Sequence, residues 1–194
     1  MLSLSIIFLC IVILGAMAMA HASWVKMEDM KESHLQQAGV VWGGRVARDT
    51  EHTCVFFIKN PRQEELTRLA NDIADPKSPN YGKHLTKQQV DEMSSNPEGE
   101  AAIESFLTSL GARIDKKSSS NIVATAPISV WETALNTEFF EVEAPAAPGQ
   151  TLQRARTYSL PDTVAQHVNM VTNTVQMPVR ISRGPVMGGR VRGV

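Results

Sequence analysis

Cysteine is scarce in this 194-residue chain, and charge is absent from its first 22 residues. Cys10 and Cys54 are too few for the disulfide framework that supports many small secreted domains. The formal net charge is −1, so no overall basic or acidic character points to nucleic acid or to an anionic membrane. A hydrophobic fraction of 43% is too high for wholesale disorder. We therefore expect one compact, soluble domain.

Catalytic motifs are also missing. The sequence has no G-x-S-x-G elbow, H-E-x-x-H zinc motif, C-x-x-C pair or G-x-x-x-x-G-K phosphate loop. The five histidines are scattered, and acidic neighbours such as Glu64 and Glu65 point roughly 100° apart on a helix. Cys54 lies in the apolar run CVFFI, which favours a buried packing role over a reactive thiol. The sequence predicts no catalytic residue, no metal ligand and no cofactor.

Residues 1–22 have the pattern of a secretory leader. Ile6 to Ala20 is an uncharged apolar run of 15 residues, which suits a signal peptide and is short for a membrane helix. The small-x-small triplet ending at Ala22 predicts cleavage there and Ser23 as the new N-terminus. An uncleaved anchor is the alternative, because counting from the second residue lengthens the run to 19. We predict a signal peptide over 1–22, the secretory pathway, and no stable membrane span after cleavage.

Local patterns predict an alternation of strands and helices. Residues 53–58 are rich in β-branched and aromatic side chains and predict a strand. A helix with one buried face follows from apolar side chains at Leu66, Leu69, Ala70 and Ile73. Two capping boxes, Thr86 with Gln89 and Ser129 with Glu132, predict further helix starts.

The order of these elements predicts the fold class. A helix after Pro97 leads to two short strands over 113–126, and strands are also predicted at 139–142 and 154–160. Residues 23–44 are expected to be a lead-in with one or two turns. We predict an α+β domain, best matched by a ferredoxin-like split β-α-β antiparallel sheet with helices on one face.

Residues 172–194 differ from the rest of the chain. This stretch has four arginines, four glycines, two prolines and no acidic residue. It carries too little apolar surface to offset the entropy lost on ordering, which predicts a flexible basic tail or linker. A nucleic-acid-binding arm is the alternative, but we predict no nucleic-acid partner.

One segment resembles a known family closely. The sequence DPKSPNYGKHLT, residues 75–86, resembles the DPxSPxYGKxLT motif in the activation (pro-) domains of the sedolisins, the serine-carboxyl peptidases. The matching positions are Asp75, Pro76, Ser78, Pro79, Tyr81, Gly82, Leu85 and Thr86. Residues 103–111, 134–139 and 158–161 resemble later family motifs in the same order. The resemblance covers roughly residues 36–171.

The resemblance implies an activation domain over residues 23–171 that acts by binding. Such a domain is expected to assist folding of a sedolisin-like catalytic domain, in cis or in trans, and to block its cleft. Secretion or an acidic vacuole- or lysosome-like compartment is the implied location. We expect the motif to determine the fold first, with Tyr81 and Leu85 as apolar anchors; direct partner contact by Tyr81 or His84 is the alternative.

Two other interpretations remain open. The chain could be a secreted interaction module derived from such a prodomain, with no peptidase partner. It could also be the N-terminal part of a full serine-type peptidase. The family's catalytic glutamate, aspartate and serine and its calcium site have no counterpart in these 194 residues, so none is carried over.

Overall fold

The computed structural model describes residues 23–30, 39–145 and 149–178. The predicted leader, its cleavage position at Ala22 and residues 179–194 of the predicted tail lie outside these ranges. The strands are β1 Trp24–Asp29, β2 Val41–Arg45, β3 Glu51–Ile58, β4 Arg113–Lys117, β5 Asn121–Pro127, β6 Phe139–Glu143, β7 Thr151–Ala155, β8 Thr157–Pro161 and β9 Val168–Thr172. The helices are α1 Gln63–Ala74, α2 Lys87–Ser94, α3 Pro97–Ser109, α4 Ile128–Ala134 and α5 Asp162–Ala165.

A four-stranded antiparallel sheet forms the centre of the domain. Its spatial order is β4-β5-β3-β9. Numbered within the sheet by chain position, the strands lie in the order 2-3-1-4, which is the ferredoxin-like arrangement. There are also two smaller antiparallel sheets among the described residues, β2-β6-β7 and β1-β8. In each of them, one strand that precedes β3 in the chain pairs with strands from the segment between β5 and β9. The predicted α+β fold with a split β-α-β sheet is confirmed.

The core lies between one face of this sheet and its helices. Along β3 the side chains of His52, Cys54, Phe56 and Ile58 alternate inward and are buried. Cys54, Phe56 and Ile58 join a cluster that includes Leu107 of α3 and the fully buried Trp131 of α4. Burying one large apolar side chain stabilises a domain by roughly 1.5–3 kcal/mol, so this layer supplies much of the folding energy. The packing role predicted for Cys54 is confirmed.

Helix caps follow the sequence signals in part. Thr86 accepts from the backbone N–H of Gln89, whose side chain accepts from the backbone of Thr86, so the predicted capping box at α2 is confirmed. The box predicted at Ser129 and Glu132 is wrong. Helix α4 begins at Ile128, so Ser129 lies inside the helix and the N-cap residue, Pro127, has no side-chain acceptor. The Glu132 carboxylate accepts from the backbone N–H of Phe139 at 3.1 Å and pairs with Arg45 at 2.6 Å.

Several strands differ from the predicted elements. The expected lead-in forms β1 and β2, which pair with β8 and β6 far along the chain. Residues 154–160 are divided between β7 and β8, and β9 was not predicted. The predicted tail begins on the domain, because Thr172 ends β9 and Thr174 and Val175 are buried. Each difference comes from pairing between distant segments, which leaves little trace in local sequence.

Candidate functional site

The family-like segment 75–86 folds into a tight turn against α1. The carboxylate of Asp72 accepts from the Ser78 hydroxyl at 2.6 Å and from the Asn80 amide at 2.7 Å. These two hydrogen bonds lower the pKa of Asp72, because they favour its charged form. Asp75 ends the helix, and its side chain accepts from the backbone N–H of Lys77 at 2.9 Å. The Ser78 hydroxyl is therefore held within the turn by hydrogen bonds.

Gly82 closes the turn through its backbone conformation. Its backbone φ is +74°, a value that residues other than glycine rarely adopt. Its N–H donates to the carbonyl of Ile73 at 3.0 Å. Pro76 follows the last helical residues, where proline cannot continue a helix. The chain then reaches Thr86, which starts α2. The motif thus sets the path between α1 and α2.

The apolar residues of this region are exposed or only half-buried. Tyr81, expected to anchor the turn, is 58% exposed, and Leu85 is half-buried. An open groove of about 420 Å³ lies between α1 and α2. Its lining consists of Gln63, Leu66, Thr67, Ala70, Ile73, His84, Leu85 and Val90. The prediction of a buried face on α1 is wrong, since neither α1 nor α2 has a buried residue within the described part of the chain.

The outer face of the four-stranded sheet carries a second apolar surface, which we call the outer strip: Val55, Phe57, Val123 and Met170. These side chains point away from the core cluster and are half-buried. None of them belongs to the cluster or packs against it among the described residues. The outer strip was missed at the sequence level. Its signal was present, because the run CVFFI is apolar on both faces, as in strands covered on both sides.

Charged and hydroxyl side chains border the outer strip on the β4 side. The Thr125 hydroxyl donates to Asp115 at 2.5 Å and contacts the Thr53 hydroxyl at 2.7 Å. Arg113 donates to Asp115 at 2.8 Å. The hydrogen bond from Arg113 is the largest cause of a lowered pKa for the Asp115 carboxyl, and the bond from Thr125 is the second. An apolar centre with a polar rim is the usual composition of a protein interface.

The family-like segments 134–139 and 158–161 both contribute buried side chains to the core. Leu135, Phe139 and Leu160 are fully buried. The hydroxyl of buried Tyr158 accepts from the backbone N–H of Val171 at 2.8 Å, so it satisfies the edge of β9 that faces away from β3. Burial, the largest cause, raises the pKa of Tyr158 and keeps the hydroxyl neutral. The buried side chains of these segments are therefore part of the fold.

The described residues form neither a metal-binding cluster nor a membrane-spanning helix. No group of three or more His, Cys, Asp or Glu side chains is arranged to hold a metal ion in residues 23–30, 39–145 and 149–178. Across the same ranges, no helix has the length and apolar character needed to cross a bilayer. Burial raises the pKa of the Cys54 thiol, which disfavours the reactive thiolate.

The sequence is similar to a family of known proteins. The family model described as "Pro-kumamolisin, activation domain" matches residues 38–177. Tripeptidyl-peptidase 1 of Rattus norvegicus is 28% identical over 139 residues, covering 70% of this chain and 25% of that protein. Physarolisin of Physarum polycephalum is 30% identical over 138 residues, covering 70% of this chain and 24% of that protein. The chain thus spans about a quarter of the length of these curated relatives.

Proposed function

Because this chain belongs to the pro-kumamolisin activation-domain family, we propose that it is a non-catalytic domain that binds a sedolisin-like catalytic domain. In that role it assists folding of the peptidase and blocks its cleft. The catalytic domain is supplied in cis, by a longer form of the chain, or in trans. A signal peptide over residues 1–22 and transit through the secretory pathway, towards the outside or an acidic compartment, are part of the same proposal.

The observation that carries the proposal is the apolar outer strip. A sheet of this fold buries one face under its helices, and Val55, Phe57, Val123 and Met170 occupy the other face. Apolar side chains in two adjoining rows on a sheet are costly to leave against water. A partner that covers the outer strip gains roughly 25 cal/mol for each Å² of apolar surface removed from water. The polar rim around Asp115 then orients that partner.

The groove beside the family motif supports a second contact with the same partner. The groove lies close to the end of β3 that carries Phe57. Arg62, just before α1, donates to the carbonyl of Met93 in α2 at 3.1 Å. The Asn96 side chain, just after α2, donates to the carbonyl of Lys59, next to the end of β3, at 2.8 Å. Exposed Tyr81 and half-buried Leu85 would enter the interface there. Residues Asp75, Pro76, Ser78, Pro79, Gly82 and Thr86 would serve it by holding the turn.

The test is binding and inhibition by the purified protein. A sedolisin-like catalytic domain that lacks its own propeptide is titrated with the protein from pH 3 to pH 7, and peptide cleavage and direct binding are measured. We expect binding and inhibition at the upper end of this range. Absence of both at every pH would remove the proposal.

Variants assign the interaction to the outer strip. Changing both Phe57 and Val123 to serine removes two apolar side chains from its centre and should weaken binding at least about tenfold, as for buried interface residues. Val41→Ser is the matched control, because Val41 is an exposed apolar residue of β2, outside the four-stranded sheet. Equal affinity of the double variant and the control would assign binding to another surface.

A further inference from the structure

One face of the three-stranded sheet β2-β6-β7 carries two aromatic rings in contact, which we call the aromatic pair: Trp42 and Phe140. Trp42 of β2 is opposite Val142 of β6, and the alternation of side chains along β6 places Phe140 on the same face. The two ring centroids are 5.9 Å apart, and the rings are nearly perpendicular, at 83°. Both side chains are half-buried. Neither belongs to the core cluster or packs against it among the described residues, so the aromatic pair is a separate surface.

Arg156 lies over the aromatic pair. Its guanidinium carbon is 4.6 Å from the centre of the Trp42 ring and 6.0 Å from the centre of the Phe140 ring. A guanidinium that stacks on a ring is held in place and can still donate from the N–H groups in its plane. The Arg156 side chain is exposed, and it makes no hydrogen bond or ion pair within residues 23–30, 39–145 and 149–178.

Arg45 on the same face shows the contrast. It also lies over Phe140, with its guanidinium carbon 5.6 Å from the ring centre. Two carboxylates neutralise it, because it pairs with Glu132 at 2.6 Å and with Glu138 at 2.5 Å. Arg156 has the aromatic contact without the carboxylates.

The remaining charges of this sheet leave the face positive. Arg154 of β7 is opposite Phe140 and therefore shares its face. Its guanidinium donates to the backbone carbonyls of Gln176 and Gln153 at 2.6 and 2.7 Å, and to no carboxylate in the described ranges. Glu141 and Glu143 of β6 alternate to the opposite face. The face thus has two cationic groups that carboxylates of the described residues do not compensate.

Trp42 adds an unpaired donor to this face. Its indole Nε1 is buried and has no acceptor in the part of the chain that the structure describes. Buried polar groups are nearly always hydrogen-bonded, so an indole N–H in this position favours the arrival of an acceptor. Guanidinium and indole groups only donate. A matching ligand therefore supplies negative charge and oxygen acceptors.

We propose that Arg156 and the aromatic pair form a binding surface for a carboxylate side chain of a partner protein. The carboxylate accepts from the guanidinium of Arg156, which stays supported by the rings. The indole N–H of Trp42 is covered before binding, and a turn of Arg156 towards the ligand opens it to the second carboxylate oxygen. Tryptophan and arginine are the side chains that contribute most often to protein interfaces.

A protein partner fits this surface better than a polyanion does. Polyanions bind through many phosphate or sulfate contacts at once, whereas this face offers one exposed arginine without a carboxylate partner among the described residues, and the formal net charge of the chain is −1. The surface lies on a different sheet from the outer strip. The inference therefore goes beyond the proposed function, and the Phe57 and Val123 double variant should keep this second binding activity.

An NMR titration of the purified protein tests the surface. The probe is a capped peptide of sequence GEFEG, and its matched control is the peptide GQFQG. The indole N–H of Trp42 reports on the site, and that of Trp131, which donates to the carbonyl of His52 at 2.8 Å in the core, is the internal control. We expect a saturable shift of the Trp42 signal with GEFEG alone and a constant Trp131 signal. Equal shifts with both peptides, or no shift with either, would overturn the proposal.

Two variants assign the binding to Arg156. Arg156→Gln removes the charge and keeps a polar side chain, and it should weaken GEFEG binding at least about tenfold, as for loss of a charged hydrogen bond. Arg48→Gln is the matched control, because Arg48 is an exposed arginine that lies over no ring within the described residues, and it should bind as the unchanged protein does. Equal affinity of the two variants would contradict the assignment.

Inorganic sulfate on the unchanged protein distinguishes a carboxylate site from a site for any anion. At the same concentration it should shift the Trp42 signal much less than GEFEG does. A shift of equal size would show an unspecific anion site and overturn the proposal.

Discussion

The two tyrosines of the chain give a direct test of which family-like segments are structural. Tyr158 and Tyr81 are its only tyrosines, and each lies in a different segment that resembles the family. Tyr158 is fully buried, and its hydroxyl accepts from Val171 at 2.8 Å. Tyr81 is 58% exposed, and its hydroxyl makes no hydrogen bond in the described part of the chain. Replacing each by phenylalanine removes one oxygen atom from very different surroundings.

The structure sets the expected magnitude for Tyr158→Phe. The change leaves the N–H of Val171 buried without an acceptor, which costs about 1–3 kcal/mol of unfolding free energy. The ring itself stays, so no large cavity adds to this cost. Urea unfolding at pH 7, followed by tryptophan fluorescence, measures the loss as a lower midpoint at an unchanged slope.

Tyr81→Phe is the control, because a surface change of this kind alters stability by less than about 0.5 kcal/mol. Tyr81→Ala should likewise leave unfolding unchanged while weakening the binding proposed above. A loss of more than 1 kcal/mol from Tyr81→Phe, or no loss from Tyr158→Phe, would refute the division into an interior and a surface segment.

Two further changes examine the core and the motif turn. Cys54 is buried, so it should resist alkylation at pH 8 under native conditions and react after unfolding. Mass spectrometry of its peptide measures the labelling, and rapid labelling of the native protein would contradict its burial. Gly82→Ala should cost about 1–2 kcal/mol of unfolding free energy through its positive φ alone, since the added methyl meets no atom within 4 Å. Gly44→Ala is the control, because Gly44 has neither a positive φ nor a close neighbour. Urea unfolding of both variants is followed by helix ellipticity, and an equal loss of unfolding free energy in the two would exclude backbone strain at Gly82.

The elements that could be predicted from sequence are those with local signals. The Thr86–Gln89 box marks the start of α2, and Pro97 marks the start of α3, both through contacts within a few residues. The box at Ser129 and Glu132 fails because the acidic side chain meets Arg45, 87 residues earlier in the chain. Strands β1 and β2 were not predicted for a related reason, since their partners lie about 130 and about 100 residues away in the chain and each strand is short.

At the candidate surfaces, the sequence correctly indicates which side chains are apolar, but it does not say which of them the fold buries. The apolar spacing of α1 correctly indicates a helix with one apolar face, but periodicity does not say what covers that face. The same holds for β3, whose apolar run fills both faces while the helices of the domain cover one. Within residues 23–30, 39–145 and 149–178, the chain therefore carries more apolar patterning than the fold covers. Because exposed apolar surface of this kind is costly for a domain that works alone, the unused part of the pattern, at the groove and the outer strip, is where the binding function should be sought.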